Sequence, residues 1–192
     1  MNYKQSRKYQ INNKHKLFIM RKLSIIFTLL LFVFAGFAQE KGGKTLPDVT
    51  VKTITGESFN TSEIDNDGNP IIISFWALWC HPCIKELSTI ADVYEDWQDE
   101  TGVKLYAVSI DDARSTAKVG PLVNGKAWEY EVLLDPNGDF KRALNVNMIP
   151  HTFVLDGNKN IVWQHTSFAE GAELDLIEIV RKVKAGEDIS EH

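Results

Sequence analysis

The sequence predicts an α/β fold, with a central mixed sheet flanked by helices and preceded by an N-terminal β-hairpin. Three features carry that prediction. Residues 71–76 (Ile-Ile-Ile-Ser-Phe-Trp) and 103–110 are β-branched and aromatic runs with little polar alternation, the pattern of strands buried on both faces. From Pro82 the apolar spacing changes to steps of three and four, placing Ile84, Leu87, Ala91, Tyr94 and Trp97 on one face of a helix. Near the end, residues 152–155 and 160–164 flank Asp156-Gly157-Asn158-Lys159 as a hairpin, and a helical stripe follows. Strands that alternate with helices and then close on a hairpin and a helix require a mixed sheet with helices on both faces.

Taken in order, residues 1–19 read as an upstream extension, with Met20 a natural start. Arg21-Lys22 then precedes an apolar run over 23–38 that closes on Ala35-Gly36-Phe37-Ala38. A basic flank, a short hydrophobic stretch and small residues before a cut describe a secretory signal peptide over 20–38, cleaved after Ala38. The same segment left uncleaved is a signal anchor. Either way the remainder is expected to be exported, periplasmic or anchored to the outer side of the cytoplasmic membrane, because the basic flank stays inside. No cysteine follows the run, which excludes a lipid anchor there.

Residues 39–46 form a Gly- and Lys-rich linker into a domain over 47–192. Residues 47–59 predict a hairpin about Thr55-Gly56, and residues 65–70 (Asp-Asn-Asp-Gly-Asn-Pro) a turn into the first buried strand. Thr101-Gly102 separates the first helix from the second buried strand. Residues 112–126 are weakly helical, limited or kinked at Gly120-Pro121. A strand over 131–134 is closed by Asp135-Pro136-Asn137-Gly138, and a short helix spans 140–144. The last helix carries Leu174, Ile177, Val180 and Val183 as its apolar stripe.

Charge narrows the function classes. Residues 1–38 carry seven basic and no acidic side chains, while the rest carries fourteen basic against all 26 acidic ones, a net charge of −12. That acidity argues against nucleic acid as a partner, since phosphate binding needs clustered Lys and Arg. Two cysteines in 192 residues, three positions apart, are no structural framework, and so short a loop removes little unfolded-chain entropy.

A chemical use is the better account. The first buried strand delivers Cys80 to the start of a helix, where free N–H groups and the positive dipole end favour a thiolate. Pro82 suits the first helical turn, and Cys83 lies one turn on, in reach of Cys80 and set deeper. Cys80 is therefore the attacking thiol and Cys83 the resolving one. His81, if protonated, would stabilise the thiolate and ease reduction of the disulfide. Three other readings remain open: half of a zinc site, a copper relay with His151 or His165, and simple packing. Four-ligand zinc needs a second pair that the sequence lacks. Trp76 and Trp79 are expected to pack beside the pair and shield it, with no catalytic role.

Trp76-Ala77-Leu78-Trp79-Cys80-His81-Pro82-Cys83 resembles the active-site signature of thioredoxins, most closely the extracytoplasmic TlpA/ResA-like branch. The likeness spans about 47–183 and includes Pro47-Asp48-Val49, the Asp135 turn, Ile149-Pro150 with Thr152-Phe153, and Glu170-Gly171. It implies a thioredoxin-like fold and a thiol–disulfide oxidoreductase that exchanges electrons with protein disulfides or dithiols. The cysteine pair would then be its redox group, without a cofactor or metal, and a membrane electron donor would supply it. A reductase is expected before an oxidant, although His81 and a positive His151 would pull the other way. The resemblance further implies that Pro150 is a cis-proline facing the pair, with the Ile149 backbone free to bind an extended substrate. Glu86, one turn past Cys83, would move protons at the thiols, its pKa raised by burial. Ser74 stands where cytoplasmic thioredoxins have a buried Asp, which favours the Glu86 arrangement. Two rivals stay in view. A peroxidase of the peroxiredoxin type needs a Thr or Ser ahead of its cysteine, where this chain has Leu78-Trp79. A metal-binding or metallochaperone module would use the two thiols as ligands.

Overall fold

Ile71–Trp76, here β3, is buried at every position, because both of its faces are covered. The computed structural model describes residues 44–187 and 189; the upstream extension, the signal segment and residues 39–43 of the linker lie outside the described residues. Along the chain come β1 (Thr50–Thr53), β2 (Ser58–Asn60), β3, α1 (His81–Ala91), α2 (Tyr94–Thr101) and β4 (Lys104–Ser109). Then follow α3 (Val119–Gly125), β5 (Glu131–Leu134), α4 (Asp139–Ala143), β6 (His151–Leu155), β7 (Ile161–Thr166) and α5 (Ala172–Ala185).

The seven strands form one mixed sheet in the order β2-β1-β5-β4-β3-β6-β7. β3, β4 and β5 run parallel, while β6 lies antiparallel to β3 and β7 antiparallel to β6. The expected N-terminal hairpin, β1 with β2, is present and joins this sheet through β1 and β5. Lys44, Thr45 and Leu46, at the end of the linker segment, are hydrogen-bonded to the β6–β7 hairpin, with Thr45 bridging Asn160.

Alternation along β3 divides the interior. Ile72 and Trp76 face the core under α1, α2 and α5, with Leu87, Ile90, Tyr94, Trp97, Ile177 and Val180. Ile71, Ile73 and Phe75 face the opposite core, with Phe140 of α4, Phe153 and Leu155. Helices on both faces are thus what the sequence pattern predicts.

Three local expectations are corrected. The helix expected from Pro82 through Trp97 is two helices, interrupted at Asp92-Val93, where Val93 adopts φ −128° and ψ 5°. Leu87, Ile90, Tyr94 and Trp97 all remain buried across the break, so the apolar period carries no mark of it. Gly120-Pro121 does not kink a helix. It sits in the first turn of α3, where the missing N–H of proline costs no hydrogen bond. On α5, Leu174 is 68% exposed and does not belong to the stripe. The buried residues Leu176, Ile177, Ile179 and Val180 centre the face about 50° further round.

Candidate active site

Strand β3 ends at Trp76, and the next four residues turn into α1 with Cys80 as its N-cap. Asp111 holds this turn. Buried at the end of β4, its Oδ2 accepts the Leu78 N–H at 2.9 Å and the Ser109 hydroxyl at 2.9 Å. The Ile110 N–H donates to the Trp76 carbonyl at 2.9 Å, which ties the same turn to the neighbouring strand. Sequence reasoning missed Asp111; the signal available was an acidic residue directly after a buried strand, level with the signature.

Cys80 and Cys83 form a disulfide with their Cα atoms 5.3 Å apart. The Cys83 N–H points at Cys80 Sγ, 3.3 Å away, so one free amide of the first helical turn faces that sulfur. Pro82 occupies the second position of the helix. Cys80 is 5% exposed and Cys83 fully buried, which places the outer sulfur at Cys80 and the deeper one at Cys83. His81 and Pro82 are exposed. Trp76 is fully buried and packs edge-on to Trp128 at 5.2 Å. Trp79 departs from the expected packing: it is 67% exposed, in the turn between β3 and α1.

The Ile149–Pro150 peptide bond is cis. Pro150 is buried and Ile149 half-buried, packed against both cores, while Met148 before them is exposed. His151 departs from expectation. It stacks on Phe153 at 4.4 Å, on the sheet face opposite α1, and its Nε2 lies 3.2 Å from Gln164 Oε1. Burial holds its pKa below the ordinary histidine value, and its ring lies on the sheet face away from the helix that carries the cysteine pair.

Glu86 is 6% exposed and lies on the buried stripe of α1 with Cys83, Leu87 and Ile90. Burial pushes its pKa up to about 7, against a smaller opposing effect from the Thr152 hydroxyl. Thr152 Oγ1 is 2.7 Å from Glu86 Oε1 and 3.1 Å from Ser74 Oγ. A carboxyl, a threonine and a serine thus form one buried chain of hydroxyls, with Ser74 at the strand position noted above. Glu86 Oε2 has no protein partner. Thr152 was quoted only as part of the resemblance; its role as the hydrogen-bond partner of Glu86 needs the β3–β6 register, which pairs Ser74 with Thr152.

This geometry is a dithiol/disulfide centre at a helix N-terminus, with a cis-proline on the neighbouring strand and a carboxyl titrating near neutrality beneath it. The AhpC/TSA family model matches residues 43–164. The chain belongs to the AhpC/TSA family. It is similar to the thiol-disulfide oxidoreductase ResA of Oceanobacillus iheyensis, 27% identical over 84% of this chain and 87% of that one. Sporulation thiol-disulfide oxidoreductase A of Bacillus subtilis is 28% identical over 72% of this chain and 85% of its own. Among solved structures, an uncharacterized thioredoxin-like protein from Porphyromonas gingivalis is 52% identical over 77% of this chain and 94% of that one, with a TM-score of 0.66. The thioredoxin-like fold and the likeness to ResA-type proteins both stand, and this member of the AhpC/TSA family is a thiol–disulfide oxidoreductase whose redox group is the Cys80–Cys83 pair. Among the described residues no group of three or more His, Cys, Asp or Glu is placed to hold a metal, and no helix is long and apolar enough to cross a membrane.

Proposed function

We propose that this chain reduces protein disulfides outside the cytoplasm, taking its electrons from a membrane donor. The observation that carries the reading is the graded burial of the pair: Cys80 at the helix N-terminus with the Cys83 amide aimed at its sulfur, Cys83 fully buried behind it. In the reduced protein the Cys80 thiolate attacks one sulfur of a partner disulfide, and the other partner sulfur leaves as a thiolate. The Cys83 thiolate then attacks Cys80 Sγ, forming the intramolecular disulfide and expelling the second partner sulfur. Two electrons have passed to the partner, and two from the donor reset the pair. Ile149, beside the cis bond to Pro150, offers backbone to an extended substrate, and exposed Trp79, His81 and Met148 border the same approach. Glu86 carries the proton that the buried Cys83 sulfur loses or gains. The basic flank and apolar run of residues 1–38 support export.

Two measurements on residues 39–192 test this. Cys83→Ser should accumulate mixed disulfides with envelope proteins while Cys80→Ser accumulates none; equal trapping by both would overturn the assignment of the attacking sulfur. Thiol counting across graded glutathione should give a potential near the thioredoxin value of about −270 mV. A value near about −120 mV would make the protein an oxidant instead.

A further inference from the structure

Beneath the site, α1 spends a buried position and α5 a half-buried one on a carboxylate. On α1 the buried stripe reads Cys83, Glu86, Leu87 and Ile90; on α5 the spacing of i, i+3, i+4 and i+7 reads Glu173, Leu176, Ile177 and Val180. An acidic side chain in the first turn of a helix is ordinarily accounted for by the dipole, but that account leaves the carboxylate in solvent. Here Glu173 Oε2 is inaccessible and has no hydrogen-bond partner, and Glu86 Oε2 is in the same condition. Both residues line one cavity of about 20 Å³, whose walls include Thr152, Trp163, His165 and Leu176. That volume suits a single water, and two unpartnered acceptors on the lining residues are the partners such a water needs.

We propose that one water in this cavity bridges Glu86 Oε2 to Glu173 Oε2, and that Glu173 is the relay through which Glu86 exchanges protons with solvent. This rests on reading Glu86 as the proton carrier of the buried thiol. When a donor thiolate attacks the disulfide and Cys83 leaves as a thiolate, Glu86 gives it a proton. The water then passes a proton to Glu86 and takes one from Glu173, and the half-buried Glu173 is recharged from bulk solvent. The proton released to solvent by the donor thiol balances the one taken up, so the cycle consumes none. The groups facing Glu86 are Thr152 from β6, Tyr130 just before β5, His165 from β7 in the cavity wall, and Glu173 from α5. Burial keeps the Tyr130 phenol far above its ordinary value, with its hydroxyl donating to the Leu87 carbonyl at 3.0 Å, so it exchanges no proton. Of the remaining three, only Glu173 carries a buried, unpartnered side-chain oxygen.

The test is the rate of disulfide reduction by dithiothreitol from pH 5 to 9, in light and heavy water, for the wild-type chain, Glu173→Gln, Glu173→Asp and His165→Gln. Glu173→Gln should slow reduction at pH 7 by about tenfold, short of the roughly hundredfold loss of a general acid in direct contact. It should also raise the solvent isotope effect, and Glu173→Asp should recover most of the rate. Wild-type behaviour in Glu173→Gln overturns the relay. So does a loss that is equal at every pH with an unchanged isotope effect, the mark of a packing defect, or a loss confined to His165→Gln. If instead the wild-type protein transfers no electrons to protein disulfides, the proposed function fails, whatever the relay does.

Discussion

Replacing Glu86 by Gln should remove a specific pH dependence of stability. Its carboxyl is displaced from an ordinary value of 4.5 to about 7, chiefly because burial penalises the charged form. At about 1.36 kcal/mol per pH unit, that displacement costs about 3 kcal/mol of stability once the group is fully ionised. The unfolded chain ionises this residue from pH 4.5 upward while the folded protein resists until about 7. The stability is therefore fully present below pH 4.5 and is lost as pH rises through about 7. Between pH 5 and pH 8.5 the oxidised wild-type protein should lose about 2–3 kcal/mol that Glu86→Gln retains, equivalent to about 5–10 °C in Tm for a chain of this size. Urea titrations of both proteins at the two pH values measure the difference directly, because other titrating groups are common to both. Parallel curves would refute the reasoning and mean that the Glu86 carboxyl reaches water in the folded protein.

Thr152→Val removes the one group that lowers the Glu86 pKa. The pH at which stability falls should move above about 7, and the lost hydrogen bond should cost about 1–3 kcal/mol in urea at pH 5. Asp111→Ala leaves the Leu78 amide without its acceptor and should cost a similar amount, about 1–3 kcal/mol, with faster amide exchange at Leu78; unchanged exchange there would show that the turn is held by something else. Leu174→Ala should stay within about 0.5 kcal/mol of the wild type, whereas Ile177→Ala should cost about 2–5 kcal/mol. Equal losses at the two positions would place the buried face of α5 where the sequence alone put it.

What could be read from the sequence depended on whether a residue's role was local. β3 and the two flanking turns were legible because burial on both faces leaves no polar alternation, and the Glu131–Leu134 strand matches its expected bounds. The break at Asp92-Val93 was not legible, since no Gly or Pro marks it and the buried spacing runs straight through. Leu174 was misread for a related reason: a three-residue step to Ile177 is compatible with two different buried faces, and only packing against the sheet selects one. The cysteine pair was legible as chemistry because strand, turn, Pro82 and helix are contiguous in the chain.

The rest of the site is assembled from across the sheet, and there the sequence signal is of a different kind. Thr152 meets Glu86 only because β6 pairs antiparallel with β3 in a register that sets Ser74 opposite Thr152. Asp111 reaches Leu78 only because β4 runs parallel to β3 and ends level with it. Such contacts are fixed by register, which one sequence does not state. Glu86 and Glu173 are intermediate cases, because each fills an i, i+3, i+4 and i+7 stripe that is otherwise uncharged. At Glu86 the side chain stays in, and burial raises its pKa to about 7. A carboxylate interrupting an apolar stripe is therefore a local mark of a long-range role. Here it points to both carboxyl groups that the structure brings to one cavity.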